Sequence, residues 1–223
     1  MKNEKYEFEL NLDELIEQMR SELRKTVTVD EYIDFVNYCQ SKKRRELYLH
    51  GEVEYCSIQE LIDAILEYNR EDCDKDPSER KPIWLHIYSQ GGDVVAGNAL
   101  IDVMLQSKTP VYTVNDALAA SMAGLIFLAG HKRYSMERAT IMLHDGSLGI
   151  SGDVSKVMDY IGYQNKWESK MRNFVLSHSK LTEEEYDKQS RADWYLLPDF
   201  AKEKGIVDYI VGEDCELKDI LPC

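Results

Sequence analysis

The 223-residue sequence lacks any apolar run approaching the roughly 18 residues that a membrane-spanning helix needs. Its first 25 residues carry too many charges for a secretory signal, which requires an uninterrupted apolar core. We therefore expect a protein that neither spans a membrane nor enters the secretory pathway.

Cysteine is scarce, and its positions show no pattern. The five cysteines are odd in number and have no C-x-x-C spacing. They are Cys39, Cys56, Cys73, Cys215 and Cys223. A disulfide framework or a zinc knuckle needs closer, regularly spaced pairs, so we expect reduced thiols in a cytoplasmic chain. The five histidines are equally dispersed without an H-x-x-x-H pair, and no metal site is predicted.

Positive charge is also in deficit. The chain has 41 acidic and 27 basic side chains, which gives a formal net charge of −14. Such a surface repels nucleic acid phosphates and anionic lipid, so neither nucleic acid nor membrane is expected as a partner. The basic run Lys42–Arg45 is interpreted as a solvated or salt-bridged linker.

The first 44 residues differ in pattern from the rest of the chain. Capping-box spacing at Asn11/Glu14 and again at Thr28/Glu31 precedes apolar residues at helical intervals. This predicts two amphipathic helices that form an N-terminal helical extension over residues 1–44.

From Glu46 onward, strand and helix patterns alternate. Apolar or alternating runs predict strands at 46–51, 83–88, 111–114 and 139–143, and a last short strand after 205–208. Helical patterns begin at the Ser57/Glu60 box, after Gly92, at 117, at 153 and at the Thr182/Glu185 box. Residues 71–80 form a polar loop. Repeated alternation of strand and helix predicts an α/β fold with a mostly parallel sheet.

A few polar residues stand where reactive groups could lie. Ser121 follows two alanines at the start of the apolar segment 117–129, where its hydroxyl could either bond the helix backbone or react. It is not part of a G-x-S-x-G motif. Gly91-Gly92 after a strand is typical of a simple turn or of a backbone that approaches a bound chain. His144 ends a predicted strand, where an imidazole could lie at the sheet edge near a site or be an ordinary core histidine, and nothing local marks Asp193.

Taken together, these segments resemble the proteolytic subunit of the ATP-dependent Clp protease, the ClpP family. The family's S-P-G-G, A-A-S-M and M-I-H motifs correspond to residues 89–92, 119–122 and 142–144. Its aspartate-aromatic-leucine stretch is similar to 193–196, and its closing A-x-x-x-G-(L/I)-(V/I)-D is similar to 201–208. The resemblance covers about residues 45–213 and implies a peptidase domain there, followed by a C-terminal tail at 214–223.

The resemblance implies a serine endopeptidase of crotonase-type α/β fold. Ser121 would be the nucleophile, His144 the general base and Asp193 the residue that orients the imidazole. The backbone N–H groups of Gly92 and Met122 would form the oxyanion hole. No metal, nucleotide or organic cofactor is implied, because acyl transfer needs none.

The resemblance also implies how the protein assembles and with what it works. Its substrates would be polypeptides, its assembly a homo-oligomer of two stacked heptameric rings, and ATP would belong to a separate AAA+ unfoldase. The predicted helix at 153–178 corresponds to the family's handle, which protrudes and joins the two rings. Its apolar stripe consists of Val154, Val157, Met158, Ile161, Trp167, Met171, Phe174 and Val175.

Four features depart from the family pattern. Gln90 replaces the proline of S-P-G-G, and the usual Q-P-L-G-G after the histidine is replaced by residues 145–149, which begin with Asp145. The loop at 71–80 resembles an insertion, and the family's axial-loop sequence is not recognisable in 1–44. A folded N-terminal cap at the entrance of the ring would be one consequence.

Two other functions remain open at this point. A crotonase-type enzyme acting on an acyl-CoA thioester shares the fold and uses oxyanion donors, but it needs no Ser-His-Asp set. The second is a non-catalytic ring subunit, or a specialised peptidase that processes one assembly partner.

Overall fold

The computed structural model describes residues 28–146, 149–189 and 192–221. The chain divides into two compact units, Met1–Lys43 and Arg44–Cys223. The predicted helix that begins at Asn11 lies outside the described residues. The second predicted helix is present, and it begins immediately after Thr28.

Helices and strands mostly alternate along the described chain. The helices are α1 (Val29–Arg44), α2 (Tyr55–Glu71), α3 (Val94–Gln106), α4 (Met122–Leu128), α5 (Val154–Ser177), α6 (Glu183–Gln189) and α7 (Pro198–Glu203). The strands are β1 (Glu46–Val53), β2 (Ile83–Gly92), β3 (Val111–Ala120), β4 (Lys132–Met136), β5 (Thr140–Leu143), β6 (Trp194–Leu196) and β7 (Tyr209–Val211). The exceptions to the alternation are that β4 and β5 are consecutive and α5 and α6 are consecutive. Two short 3₁₀ helices lie at Pro77–Glu79 and Leu217–Ile220.

The strands form one sheet of mostly parallel strands, which confirms the predicted α/β fold class. Its main path runs β1-β2-β3-β4-β7, and every neighbouring pair on this path is parallel. β3 also pairs with β5 beyond the end of its pairing with β4. β6 then pairs antiparallel with β5, so β5 and β6 form a branch of the sheet.

The two faces of the sheet are buried in different ways, as the alternation of side chains along β2 shows. Leu85 and Ile87 belong to the main core, which they share with apolar residues of α2, α3 and α4. Trp84 lies on the opposite face in a smaller cluster with Tyr134 and Ile220. The main core therefore lies between the sheet and the helices that follow β1, β2 and β3.

Several element boundaries differ from those predicted. β3 continues to Ala120, so residues 117–120 are strand and the buried helix covers only Met122–Leu128. β2 includes Gly91 and Gly92 rather than ending before them. α2 begins with a capping box of Glu54 and Ser57, three residues earlier than the predicted one. β4, β6 and α7, which are three to six residues long, were not predicted.

The predicted long helix is confirmed as α5, and it is mostly exposed. Its 24 residues give it a length of about 36 Å, and Val175 is its one buried residue. Val154 is 80% exposed and Met158 is 61% exposed, although both are apolar. In the described part of the chain, none of the helices combines the length and apolarity that crossing a bilayer requires.

Candidate active site

Ser121 lies in an unusual backbone conformation at the junction of β3 and α4. Its φ of 54° and ψ of −124° place a non-glycine residue in a sparsely populated region. Such strain persists only where the surroundings hold it, and it is concentrated at functional sites. Here the Ser121 N–H donates to the Met142 carbonyl at 2.8 Å, which fixes the turn against β5.

The Ser121 hydroxyl does not cap its own helix. It makes no side-chain capping bond to α4, whose first backbone bond runs from Leu125 N–H to the Ser121 carbonyl. The interpretation of this serine as a helix-capping residue is therefore wrong, and its hydroxyl is available for another partner.

Strand register brings His144 and Asp193 to this junction. β3 and β5 are paired in parallel with Ala120 opposite Met142, so both strands end at the same edge of the sheet. β5 and β6 are antiparallel with Leu143 opposite Trp194. Extending that register by one residue places His144 opposite Asp193, although the two are far apart in sequence.

The three side chains form a connected row. Ser121 Oγ lies 2.7 Å from His144 Nε2, and His144 Nδ1 lies 3.2 Å from Asp193 Oδ1. The imidazole is partly buried with 22% of its side chain exposed, whereas 56% of the Asp193 side chain is exposed. A carboxylate beside Nδ1 favours the tautomer with its proton on Nδ1, which leaves the Nε2 lone pair for the serine proton.

The Gly91-Gly92 segment lies directly against the Ser121 turn. Gly91 has a φ of +98°, and a Cβ there would lie 2.7 Å from Ser121 Cβ and 3.0 Å from Met122 N. Gly92 has a φ of +150°, and a Cβ there would lie 2.3 Å from the Val53 carbonyl oxygen. Only glycine fits at both positions: Gly91 lets the backbone approach the Ser121 turn closely, and Gly92 does the same towards β1.

Ser89 was matched in the sequence as the serine of the S-P-G-G motif, but no role was assigned to it. Ser89 is buried, and its Oγ accepts the N–H of Gly91 at 3.1 Å. Serine two residues before a glycine turn is a common source of such a bond, and this spacing was the available signal. Gln90, which departs from the family pattern, is exposed.

Asp145, the unexpected carboxylate after His144, is exposed and acts electrostatically on Tyr186 of α6. Burial raises the pKa of Tyr186 to about 12, and the negative charge of Asp145 contributes in the same direction. Among residues 28–146, 149–189 and 192–221, no group of histidine, cysteine and carboxylate side chains has the geometry of a metal site.

Comparison with known proteins gives consistent matches. The model of a family described as Clp protease matches residues 31–214. The ATP-dependent Clp protease proteolytic subunit 1 of Rhodopirellula baltica is 30% identical over 168 residues, which cover 74% of this chain and 71% of that protein. The ATP-dependent Clp protease proteolytic subunit of Dehalococcoides mccartyi is 32% identical over 171 residues, or 76% of this chain and 82% of that protein.

Proposed function

The chain belongs to the Clp protease family and is a serine-type peptidase, and from that premise we propose that it cleaves peptides and unfolded proteins through an acyl-enzyme on Ser121. The observation that carries this proposal is the 2.7 Å contact between Ser121 Oγ and His144 Nε2. A serine hydroxyl is a weak nucleophile near neutral pH unless an adjacent base takes its proton. The strained Ser121 backbone supports the same role, since it presents the hydroxyl to the imidazole rather than to the helix.

The proposed acylation begins with attack by Ser121. Ser121 Oγ adds to the substrate carbonyl carbon while its proton passes to His144 Nε2. The negative charge that develops on the carbonyl oxygen is held by the backbone N–H groups of Gly92 and Met122. Asp193 keeps the imidazole oriented and stabilises its positive charge.

Collapse of this intermediate breaks the peptide bond, and the leaving amine takes the proton from His144. An ester of Ser121 remains. His144 then removes a proton from water, the hydroxide adds to the ester carbonyl, and the released serine oxygen recovers its proton. No cofactor enters either half of the reaction.

The proposed assembly follows from the family and from helix α5. The relatives are named as subunits of an ATP-dependent protease, which supports a homo-oligomer that works with a separate AAA+ unfoldase. The exposed apolar residues of α5 are suited to contacts between subunits, and we propose two stacked heptameric rings around an internal chamber. Residues 45–213 would form the peptidase domain, 1–44 a helical extension and 214–223 a tail, in a cytoplasmic protein.

A fluorophosphonate probe tests the central claim, because it reacts only with an activated serine. We expect the wild-type protein to be labelled and Ser121→Ala to be unlabelled. Ser78→Ala is the matched control, since Ser78 is an exposed serine in the 3₁₀ turn after α2. This control should be labelled like the wild type and should hydrolyse short peptides at the same rate.

Equal labelling of wild type and Ser121→Ala would refute the assignment of the nucleophile. Turnover of an acyl-CoA thioester that survives in Ser121→Ala would instead favour the crotonase-type alternative. Absence of labelling in the wild-type assembly would favour a non-catalytic subunit.

A further inference from the structure

Gly91 and Gly92 lie at the end of β2, where the pairing of this strand is irregular on both sides. The register with β1 shifts between His50 and Glu52, and the register with β3 shifts after Ile87 of β2. Such bulges re-aim the backbone and are frequent beside active sites. Gly91 and Gly92 remain opposite Glu52 and Val53 of β1, but the pairing with β3 ends at Ser89, so the ladder holds this segment from one side only.

Ser89 supplies a fixed point in this irregular stretch. It is 1% exposed, it pairs with Ala119 of β3, and its hydroxyl accepts the Gly91 N–H at 3.1 Å. On the far side of the turn, Asp93 donates its N–H to the Val53 carbonyl at 2.8 Å. The two bonds hold the amides before and after Gly92, so the orientation of the peptide plane that carries the Gly92 N–H depends on both.

We propose that Ser89 is a positioning residue for the oxyanion hole. Through its bond to Gly91 N–H, it aims the Gly92 N–H at the oxygen of the tetrahedral intermediate on Ser121. This inference rests on the proposed function, because it assumes that Gly92 donates to that oxygen. A donor that points away from the developing charge loses much of its value, since preorganised direction is what makes such donors effective.

Two variants separate the hydrogen bond from the packing. Ser89→Ala removes the acceptor and leaves a small void, whereas Ser89→Cys nearly preserves the volume but offers only a weak acceptor. Ser135→Ala is the matched control, because Ser135 is a buried serine of the same sheet whose hydroxyl also bonds main chain, on β4. All three are compared with the wild-type oligomer using a short fluorogenic peptide.

We expect both Ser89 variants to lower kcat by about 10-fold with KM nearly unchanged, less than the roughly 100-fold or greater loss when a donor is removed outright. A peptide aldehyde, which forms a tetrahedral adduct, should lose affinity by the same factor. The matching peptide alcohol, which forms none, should bind as it does to the wild type. Ser135→Ala should keep wild-type values in all three measurements.

Wild-type kcat in both Ser89 variants would overturn the proposal. An equal loss of affinity for the aldehyde and the alcohol, or failure of both variants to fold, would also overturn it, because either assigns Ser89 to general structure. Failure of the proposed function is a separate result: Ser121→Ala would then hydrolyse the peptide at the wild-type rate.

Discussion

His144 contacts a hydroxyl on one side and a carboxylate on the other, and the two contacts differ in exposure. The Asp193 side chain is 56% exposed, so water screens its charge and its main contribution is the orientation of the ring. We expect His144→Ala to lower kcat for a short peptide by about 10⁴-fold or more, and Asp193→Asn by a similar or smaller factor. Steady-state kinetics measures both, and native mass spectrometry should show an unchanged oligomer.

Asp145→Asn is the control for Asp193→Asn. It removes an exposed carboxylate adjacent to His144 in sequence, whereas the carboxylate beside the imidazole Nδ1 is that of Asp193, and turnover should stay within about 2-fold of the wild type. If Asp145→Asn lost as much activity as Asp193→Asn, the assignment of Asp193 as the orienting carboxylate would be wrong.

Gly91 allows a second prediction at the scale of one residue. In Gly91→Ala the new Cβ would lie 2.7 Å from both Ser121 Cβ and the Ala120 carbonyl oxygen, so the Ser121 turn must move. We expect loss of more than about 99% of peptide hydrolysis, since small displacements of catalytic groups have costs of this order.

Gly212→Ala separates crowding from backbone strain. Gly212 has a φ of +101°, close to the +98° of Gly91, but a Cβ there would meet nothing within 4 Å. This control should lose about 1 kcal/mol of stability and keep its activity. Equal loss of activity in the two variants would show that positive φ alone, and not contact with Ser121, explains the requirement for glycine.

At the scale of elements, the alternation of strand and helix was predictable, but the path of the chain through the site was not. Residues 117–120 read as helix because alanine and leucine favour helices, yet they form the end of β3. Pairing with β5 and the close approach of Gly91 require small residues there, and neither is visible locally. β6 was missed for the same reason, since its pairing with β5 is a tertiary contact.

A buried ion pair links the start of β1 to the end of α2, and it gives a pH dependence. Arg45 Nη1 and Nη2 donate to the Asp72 carboxylate at 2.5 and 2.8 Å, and Lys75 and Thr109 donate to it as well. The Arg45 hydrogen bond holds the pKa of Asp72 well below its usual range. The unfolded chain therefore takes up this proton first as the pH falls.

We expect the contribution of Asp72 to the free energy of unfolding to be independent of pH near neutrality and to decrease as the pH drops below about 5, where the unfolded-state carboxyl begins to bind its proton. Chemical denaturation as a function of pH measures this. Asp72→Asn should be destabilised by about 3 kcal/mol at pH 7, since the buried Arg45 loses its buried carboxylate partner and keeps only the half-exposed Glu71. The further decrease of its stability in acid should be smaller than that of the wild type.

Asp74→Asn is the control, because Asp74 is an exposed carboxylate in the same loop. Its stability should follow the wild-type curve within about 0.5 kcal/mol at every pH. A wild-type acid dependence in Asp72→Asn would refute the role given to this pair.

At the scale of the whole molecule, the exposed apolar residues of α5 require a partner. Val154 and Met158 lie one turn apart and are 80% and 61% exposed. We expect the wild-type chain to form a complex of 14 subunits by native mass spectrometry. Met158→Glu should shift the population towards single rings or smaller species, because it places a charge where apolar surfaces meet.

Lys156→Glu tests whether added negative charge on α5 is by itself sufficient to disrupt assembly. Lys156 lies on the other side of the same helix, and its side chain is 80% exposed. It should assemble like the wild type. A wild-type chain that remains monomeric or dimeric at micromolar concentration would contradict the ring proposal.

The branch formed by β5 and β6 has a consequence for how the protein loses activity. It joins the rest of the sheet through three residue pairs with β3, Leu118 to Ala120, while the main path continues without it through β4 and β7. The branch is thus a candidate for opening as a small cooperative unit at a lower free energy than global unfolding. His144 and Asp193 would then move away from Ser121 together. The amides of β5 and β6 should exchange with deuterium before those of β2. Inactivation by mild heat or denaturant would precede loss of the fold and reverse on cooling.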